Sequence, residues 1–220
     1  MQQYRIIITG TTGMVGEGIL MECLTSSEIA EILSVSRKPT GLSHPKLKEY
    51  IVPDFLDLKE DDSLLHGYDA CFFCAGVSSI GMSEKDYTLI TYDTTIHFAS
   101  VLAEQNPLMT FIYVSGAGTD GTGKGRSMWA RVKGKTENAL TKLPFKKVYN
   151  FRPGFMKPVE GQQRVPALYK YIGWMFPILK LIFPNTASTL NQVAKAMIKC
   201  VTTDIEQPIM EVSDINRVVT

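Results

Sequence analysis

The stretch Gly10-Thr11-Thr12-Gly13-Met14-Val15-Gly16 carries the most specific chemistry in this chain. Three glycines at intervals of three, after a β-branched run and before an amphipathic one, suit a turn that holds phosphate. Gly10 allows a tight turn, Gly13 lets a pyrophosphate approach the backbone, and Gly16 lets helix and strand pack closely. Thr12, Met14 and Val15 lie in the same turn, where the first N–H groups of a helix and its positive dipole end meet the phosphates. The ligand class is a dinucleotide.

Its identity is read about twenty residues further on. A site for NAD places an acidic residue at the end of the second strand to bind the ribose 2′-hydroxyl. This chain has Ser36-Arg37-Lys38 there. Two cations and no carboxylate suit a 2′-phosphate, which carries extra charge and accepts a bidentate guanidinium. The expected cofactor is NADP(H), with NAD(H) the second choice.

Other residues with reactive side chains argue for less. Cys71 and Cys74 form a C-x-x-C, a spacing that invites a metal or redox role. They sit in the apolar run Ala70-Cys71-Phe72-Phe73-Cys74-Ala75, where residues three apart on a strand face opposite ways. His44, His66 and His97 have no ligand spacing, so no metal site is expected. Gly118-Thr119-Asp120-Gly121-Thr122-Gly123-Lys124 imitates a P-loop, but Gly125 stands where Mg²⁺ needs Ser or Thr. That cluster reads as a flexible loop above the site.

The elements that must position these residues follow from periodicity. Strands are expected at 4–9, 32–36, 47–52, 70–75, 110–115 and 147–151, and helices at 15–24, 84–105 and 128–143. Strands alternating with helices imply a doubly wound parallel sheet covered on both faces, an α/β fold of the Rossmann type. Leu190, Val193, Ala194, Met197, Ile198 and Val201 mark one further amphipathic helix. The expected organisation is a nucleotide-binding part, 1–154, and a small C-terminal region, 155–220, that completes the same domain as a lid or substrate pocket.

Composition narrows the partners. The chain has 220 residues, 45 % hydrophobic and 20 % charged, enough for a full core without staples. Its 23 Lys and Arg against 22 Asp and Glu leave a formal charge of +1, which supplies no field for nucleic acid. Residues 165–184 are apolar and aromatic and as long as a membrane span. Lys170, Lys180, Pro166, Pro177 and Pro184 interrupt or bound them, so a lid or a homo-oligomer contact fits better than a span. The N-terminus shows no secretory signal, and the expected location is the cytoplasm.

Taken together, these residues resemble the short-chain dehydrogenase/reductase superfamily in its atypical and extended branches. The resemblance rests on Thr9 and the three glycines, Asp54-Phe55, Ala75-Gly76, Ser115, Lys133 and Arg152-Pro153-Gly154. Ser36-Arg37-Lys38, Arg131-Val132-Lys133-Gly134-Lys135 and Phe151-Arg152-Pro153-Gly154 look most like the Tat-interacting, oxidoreductase-like proteins. The resemblance implies that Asp54 and Phe55 flank the adenine. It also implies that Ala75 and Gly76 line the ribose and nicotinamide side, and that Pro153, Gly154 and Phe155 contact the cofactor. Lys133 would hold the nicotinamide ribose and Ser115 would orient a substrate oxygen.

One departure bears on chemistry. The superfamily's Tyr-x-x-x-Lys motif reads Trp129-Ala130-Arg131-Val132-Lys133 here. An indole N–H does not titrate near neutral pH and cannot serve as the general acid/base. Tyr87, Tyr92, Tyr113, Tyr169 and Lys133 are the candidate replacements. The expected function is hydride transfer between NADP(H) and a carbonyl or alcohol carbon of an unidentified small molecule. A non-catalytic NADP(H)-dependent binding or regulatory protein is the main alternative. A nucleotide-sugar epimerase or dehydratase is a weaker one.

Overall fold

In the computed structural model, residues 2–167, 169, 186–203 and 205–219 are described. Seven strands form one parallel sheet: β1 (Tyr4–Thr9), β2 (Ile29–Ser36), β3 (Leu47–Ile51), β4 (Ala70–Phe73), β5 (Thr110–Val114), β6 (Lys147–Arg152) and β9 (Ile209–Glu211). Their order across the sheet is β3-β2-β1-β4-β5-β6-β9. Two short strands, β7 (Phe155–Lys157) and β8 (Ala187–Thr189), pair separately. Chain order reverses direction between β1 and β4, so a crevice opens beyond their carboxyl ends.

Period-two alternation builds both faces of the sheet. Ile6, Ile8, Phe72 and Ile112 face a layer made by α1 (Met14–Thr25), α5 (Leu190–Thr202) and α6 (Val212–Val218). Ile7, Phe73, Phe111 and Tyr113 face α3 (Thr94–Gln105) and α4 (Met128–Leu140). Cys71 belongs to the second layer and Cys74 packs against the first, and both are free thiols. Burial pushes both thiols up, which makes them poor nucleophiles.

Several boundaries differ from the sequence reading. Strand β2 begins three residues early, because Ile29 is drawn into pairing with Tyr4. The helix expected over 84–105 is α2 (Glu84–Thr88), a π-helical turn (Leu89–Asp93) and then α3. Strand β9 and helix α6 are additions, too short to show a periodicity in sequence. The apolar stretch 165–184 falls outside the described residues at 168 and from 170 onward. Among the described residues, no helix is long and apolar enough to cross a membrane.

Candidate cofactor site

At the reversal between β1 and β4 lies a cavity of about 510 Å³, lined at one end by Ser36 and Arg37 and at the other by Ala75, Gly76 and Val77. Gly10, Thr12, Gly13, Met14, Val15 and Gly16 form its floor, and Asp54 and Phe55 one wall. The volume lies within the range of small-molecule and cofactor sites.

Two of the three glycines are explained by the protein's own packing. Gly10 has φ +70°, and a Cβ there would lie 2.7 Å from the backbone of Cys74 and Ala75. A Cβ on Gly16 would lie 2.2 Å from the carbonyl oxygen of Gly10. Gly13 is different: its φ is −112°, and among the described residues its Cβ would meet only the Gly10 carbonyl, at 3.4 Å. Nothing among the described residues requires a glycine there, but a group seated in the cavity would. No side chain of the described residues caps the N-terminus of α1, so its first N–H groups remain available to an anion. A pyrophosphate fits this cradle.

Supporting contacts fix the walls. The Thr9 hydroxyl accepts hydrogen bonds from Cys74 N and Ala75 N, both at 3.1 Å, tying the loop after β4 to the end of β1. Asp54 accepts from Leu56 N at 3.0 Å, which starts a short helical turn and presents Phe55. Phe55 stacks on Phe98 of α3 at 5.1 Å. Arg37 is exposed at the cavity edge. At the opposite end of the strands Arg5 and Lys48 both pair with Glu31, whereas Arg37 makes no ion pair among the described residues. Lys38 is exposed and does not line the cavity, and its carbonyl accepts from the Ser36 hydroxyl at 2.7 Å.

Ser115, Trp129 and Lys133 gather at the end of β5, outside the cavity lining. The buried Ser115 hydroxyl donates to Glu137 Oε1 at 2.5 Å, and its oxygen lies 3.1 Å from the Phe151 carbonyl oxygen. Lys133 Nζ donates to the Ser115 carbonyl at 2.6 Å. Burial lowers Lys133 from the ordinary lysine value of 10.5 to about 8, against the opposing pull of Glu137. The Trp129 ring lies beside Gly116 and Gly118, where added Cβ atoms would meet it at 3.9 and 3.8 Å. Tyr87 and Tyr113 are buried, and desolvation moves both phenols upward, away from neutrality. Tyr169 is raised by the same cause and stacks on Phe155 at 5.1 Å. Tyr92 lies under the Lys135 ammonium, 4.0 Å from its ring centroid.

Pro153 and Gly154 lie beyond β6. The Pro153 carbonyl accepts from Ala117 N at 2.9 Å. A Cβ on Gly154 would lie 2.2 Å from the Thr186 carbonyl oxygen, so close chain packing accounts for that glycine. The loop expected to be flexible is strapped to α4: Asp120 N donates to the Ala130 carbonyl, and Asn138 to the Gly121 carbonyl. A Cβ on Gly134 would lie 1.9 Å from the Asp120 carbonyl oxygen.

Sequence reasoning missed Leu89, Ile90 and Thr94 in the cavity lining. Their only sign was two apolar residues on the exposed side of a helix. It also missed Glu137, which binds both Ser115 and Arg152.

The sheet order and the glycine turn at its reversal define a dinucleotide-binding protein of the Rossmann type. The chain belongs to the NAD dependent epimerase/dehydratase family, whose profile matches residues 6–145, within the short-chain dehydrogenase/reductase superfamily. It is 24 % identical over 159 residues to Protein HTATIP2 of Rattus norvegicus, covering 71 % of this chain and 64 % of that protein. It is 26 % identical over 159 residues to the mitochondrial Protein FMP52 of Meyerozyma guilliermondii, covering 69 % of this chain and 65 % of the relative. The match thus spans less than two thirds of either relative. The enzyme WbmF of Bordetella bronchiseptica, solved in complex with NAD+, shares the fold at a TM-score of 0.65. That likeness covers 98 % of this chain and 77 % of WbmF, at 16 % identity.

Proposed function

We propose that this protein binds NADP(H) and exchanges hydride with a carbonyl or alcohol carbon of a small molecule. Residues 155–220 would complete the binding unit formed by 1–154. The observation that carries the reading is Gly13, whose missing side chain leaves room that no atom of the described residues fills. Arg37, exposed at the adenine end, supports a 2′-phosphate, because a guanidinium offers it two parallel donors. NAD(H) would leave that cation without a partner. When bound, the nicotinamide supplies the hydride.

The chain's own residues would divide the remaining work. Asp54 and Phe55 would flank the adenine, and Ala75 and Gly76 would line the path to the nicotinamide. Lys133 would hold the ribose beyond β5. Among the replacement proton donors, Lys133 is the one shifted toward neutrality, to about 8, while Tyr87, Tyr113 and Tyr169 move upward. A general acid works best with a value near the operating pH. Lys133 is therefore the preferred proton source in this reading.

A second reading, a non-catalytic NADP(H)-dependent binding protein, is favoured by Trp129 and by the engagement of Ser115 with Glu137. The two readings are separated by NADPH consumption over a panel of carbonyl compounds, after cofactor binding is established. Under the oxidoreductase reading, turnover is low but measurable, depends on Lys133, and survives Trp129→Phe. Trp129→Tyr should raise it by about 10²-fold or more if the remaining geometry suits reduction. No turnover in either protein favours the binding reading.

A further inference from the structure

A chain of charged groups runs behind the end of β5 and has no part in lining the cavity. Arg152 of β6 grips Glu137 of α4 with two donors, Nε to Oε1 at 3.0 Å and a terminal nitrogen to Oε2 at 2.6 Å. Its other terminal nitrogen reaches Glu211 of β9 at 3.0 Å. The Glu137 side chain is 3 % exposed and that of Arg152 14 %, so this is a nearly dry pair. Glu137 also receives the Ser115 hydroxyl, and the carbonyl of that same serine receives Lys133 Nζ. Lys133 and Glu137 stand four residues apart on one face of α4. Two cations and two carboxylates therefore balance across α4, β6 and β9, with Ser115 as the link.

Isolated buried charges are strongly disfavoured, so such a balanced set needs a reason to persist. We propose that the Glu137–Arg152 pair is a positioning unit for Lys133: through Ser115 it fixes the lysine ammonium at the end of β5, where the nicotinamide ribose would lie. The inference rests on the cofactor reading above and adds to it residues that never touch the cofactor. Arg152 locks both carboxylate oxygens, which stops Glu137 from swinging onto Lys133 and consuming it in a direct ion pair. The carboxylate stays one serine away, close enough to hold the charge on Lys133 and too well bound to neutralise it. The other groups around the lysine do not compete. Tyr113 of β5 presents its ring at 5.7 Å, and Tyr113 neighbours Tyr87 of α2. Arg131 of α4 is taken by Glu84 of α2. Glu211 lies behind Arg152.

The direct test is the titration of Lys133 followed by NMR of its Nζ and Cε, assigned by comparison with Lys133→Met. In the unmodified protein the midpoint should fall near 8. Glu137→Gln keeps the size and one acceptor but removes the charge, and should lower the midpoint by about one unit. The pH profile of the NADPH dissociation constant should move down by the same amount. If Glu137→Gln fails to fold, Arg152→Gln serves instead: it removes a nearby cation and frees Glu137 to pair directly with Lys133, and both effects should raise the midpoint. An unchanged midpoint in the folded variant overturns the positioning role. Absence of NADPH binding in the unmodified protein would overturn the cofactor reading instead, and the NMR titration would still decide the role of Glu137.

Discussion

Arg37 and Lys38 look equivalent in sequence, but only Arg37 reaches the cavity edge. Discrimination between NADPH and NADH should therefore depend on one of the two cations. Arg37→Ala should remove most of the preference for NADPH, about 1.5–3 kcal/mol for a charge-assisted contact, and Lys38→Ala should leave it nearly intact. Calorimetry with both dinucleotides on the two variants checks this, and equal losses would contradict it. At Lys133 the sign of the pH effect is fixed by burial. Its folded value of about 8 lies below the ordinary 10.5, so between these limits the unfolded chain binds more protons. The stability contributed at this position is lowest below pH 8 and recovers as pH rises through that window. Lys133→Met should remove the recovery. Melting temperatures from pH 7 to 10 should then diverge between the two proteins, and parallel curves would count against it.

Among the elements, α3 does more than cover the sheet. Phe98 is fully buried, stacks on Phe55 at 5.1 Å and tilts against Phe73 at 5.5 Å, so it supports two residues of the cavity wall. Phe98→Ala should destabilise the fold by about 3–5 kcal/mol and weaken cofactor binding in whatever protein remains folded. Denaturant titration and calorimetry together would show both effects; a stable variant with unaltered binding would refute the support role. The sequence made the strand faces readable, because Ile6-Ile7-Ile8 and Phe72-Phe73 divide between two layers by alternation alone. It did not reveal the π-helical turn at Leu89–Asp93, since one extra residue in a turn leaves no periodic mark over so short a span. That turn is what carries Leu89 and Ile90, 49 % and 40 % exposed, to the cavity. Nor did it reveal Glu137–Arg152, a pair fifteen residues apart whose meeting depends on how α4 lies over β5 and β6.

For the molecule as a whole, the crevice at the sheet reversal and the glycine turn were legible together, because each glycine in a strand–turn–helix setting has a mechanical role. Gly10 and Gly16 are accounted for by the chain's own backbone, and only Gly13 is left for a ligand. This separates the roles of the three more sharply than their spacing could. Substitution at Gly10 or Gly16 must disturb the fold, but substitution at Gly13 should leave it standing. The central claim is that a dinucleotide seats its pyrophosphate on Gly13. The measurement that tests it most directly is calorimetric titration of NADPH into the unmodified protein and into Gly13→Val, with circular dichroism and melting curves establishing that the variant is folded. The account expects saturable binding in the first and none in the second, with little change in melting temperature. Undiminished NADPH binding to a folded Gly13→Val protein would contradict it.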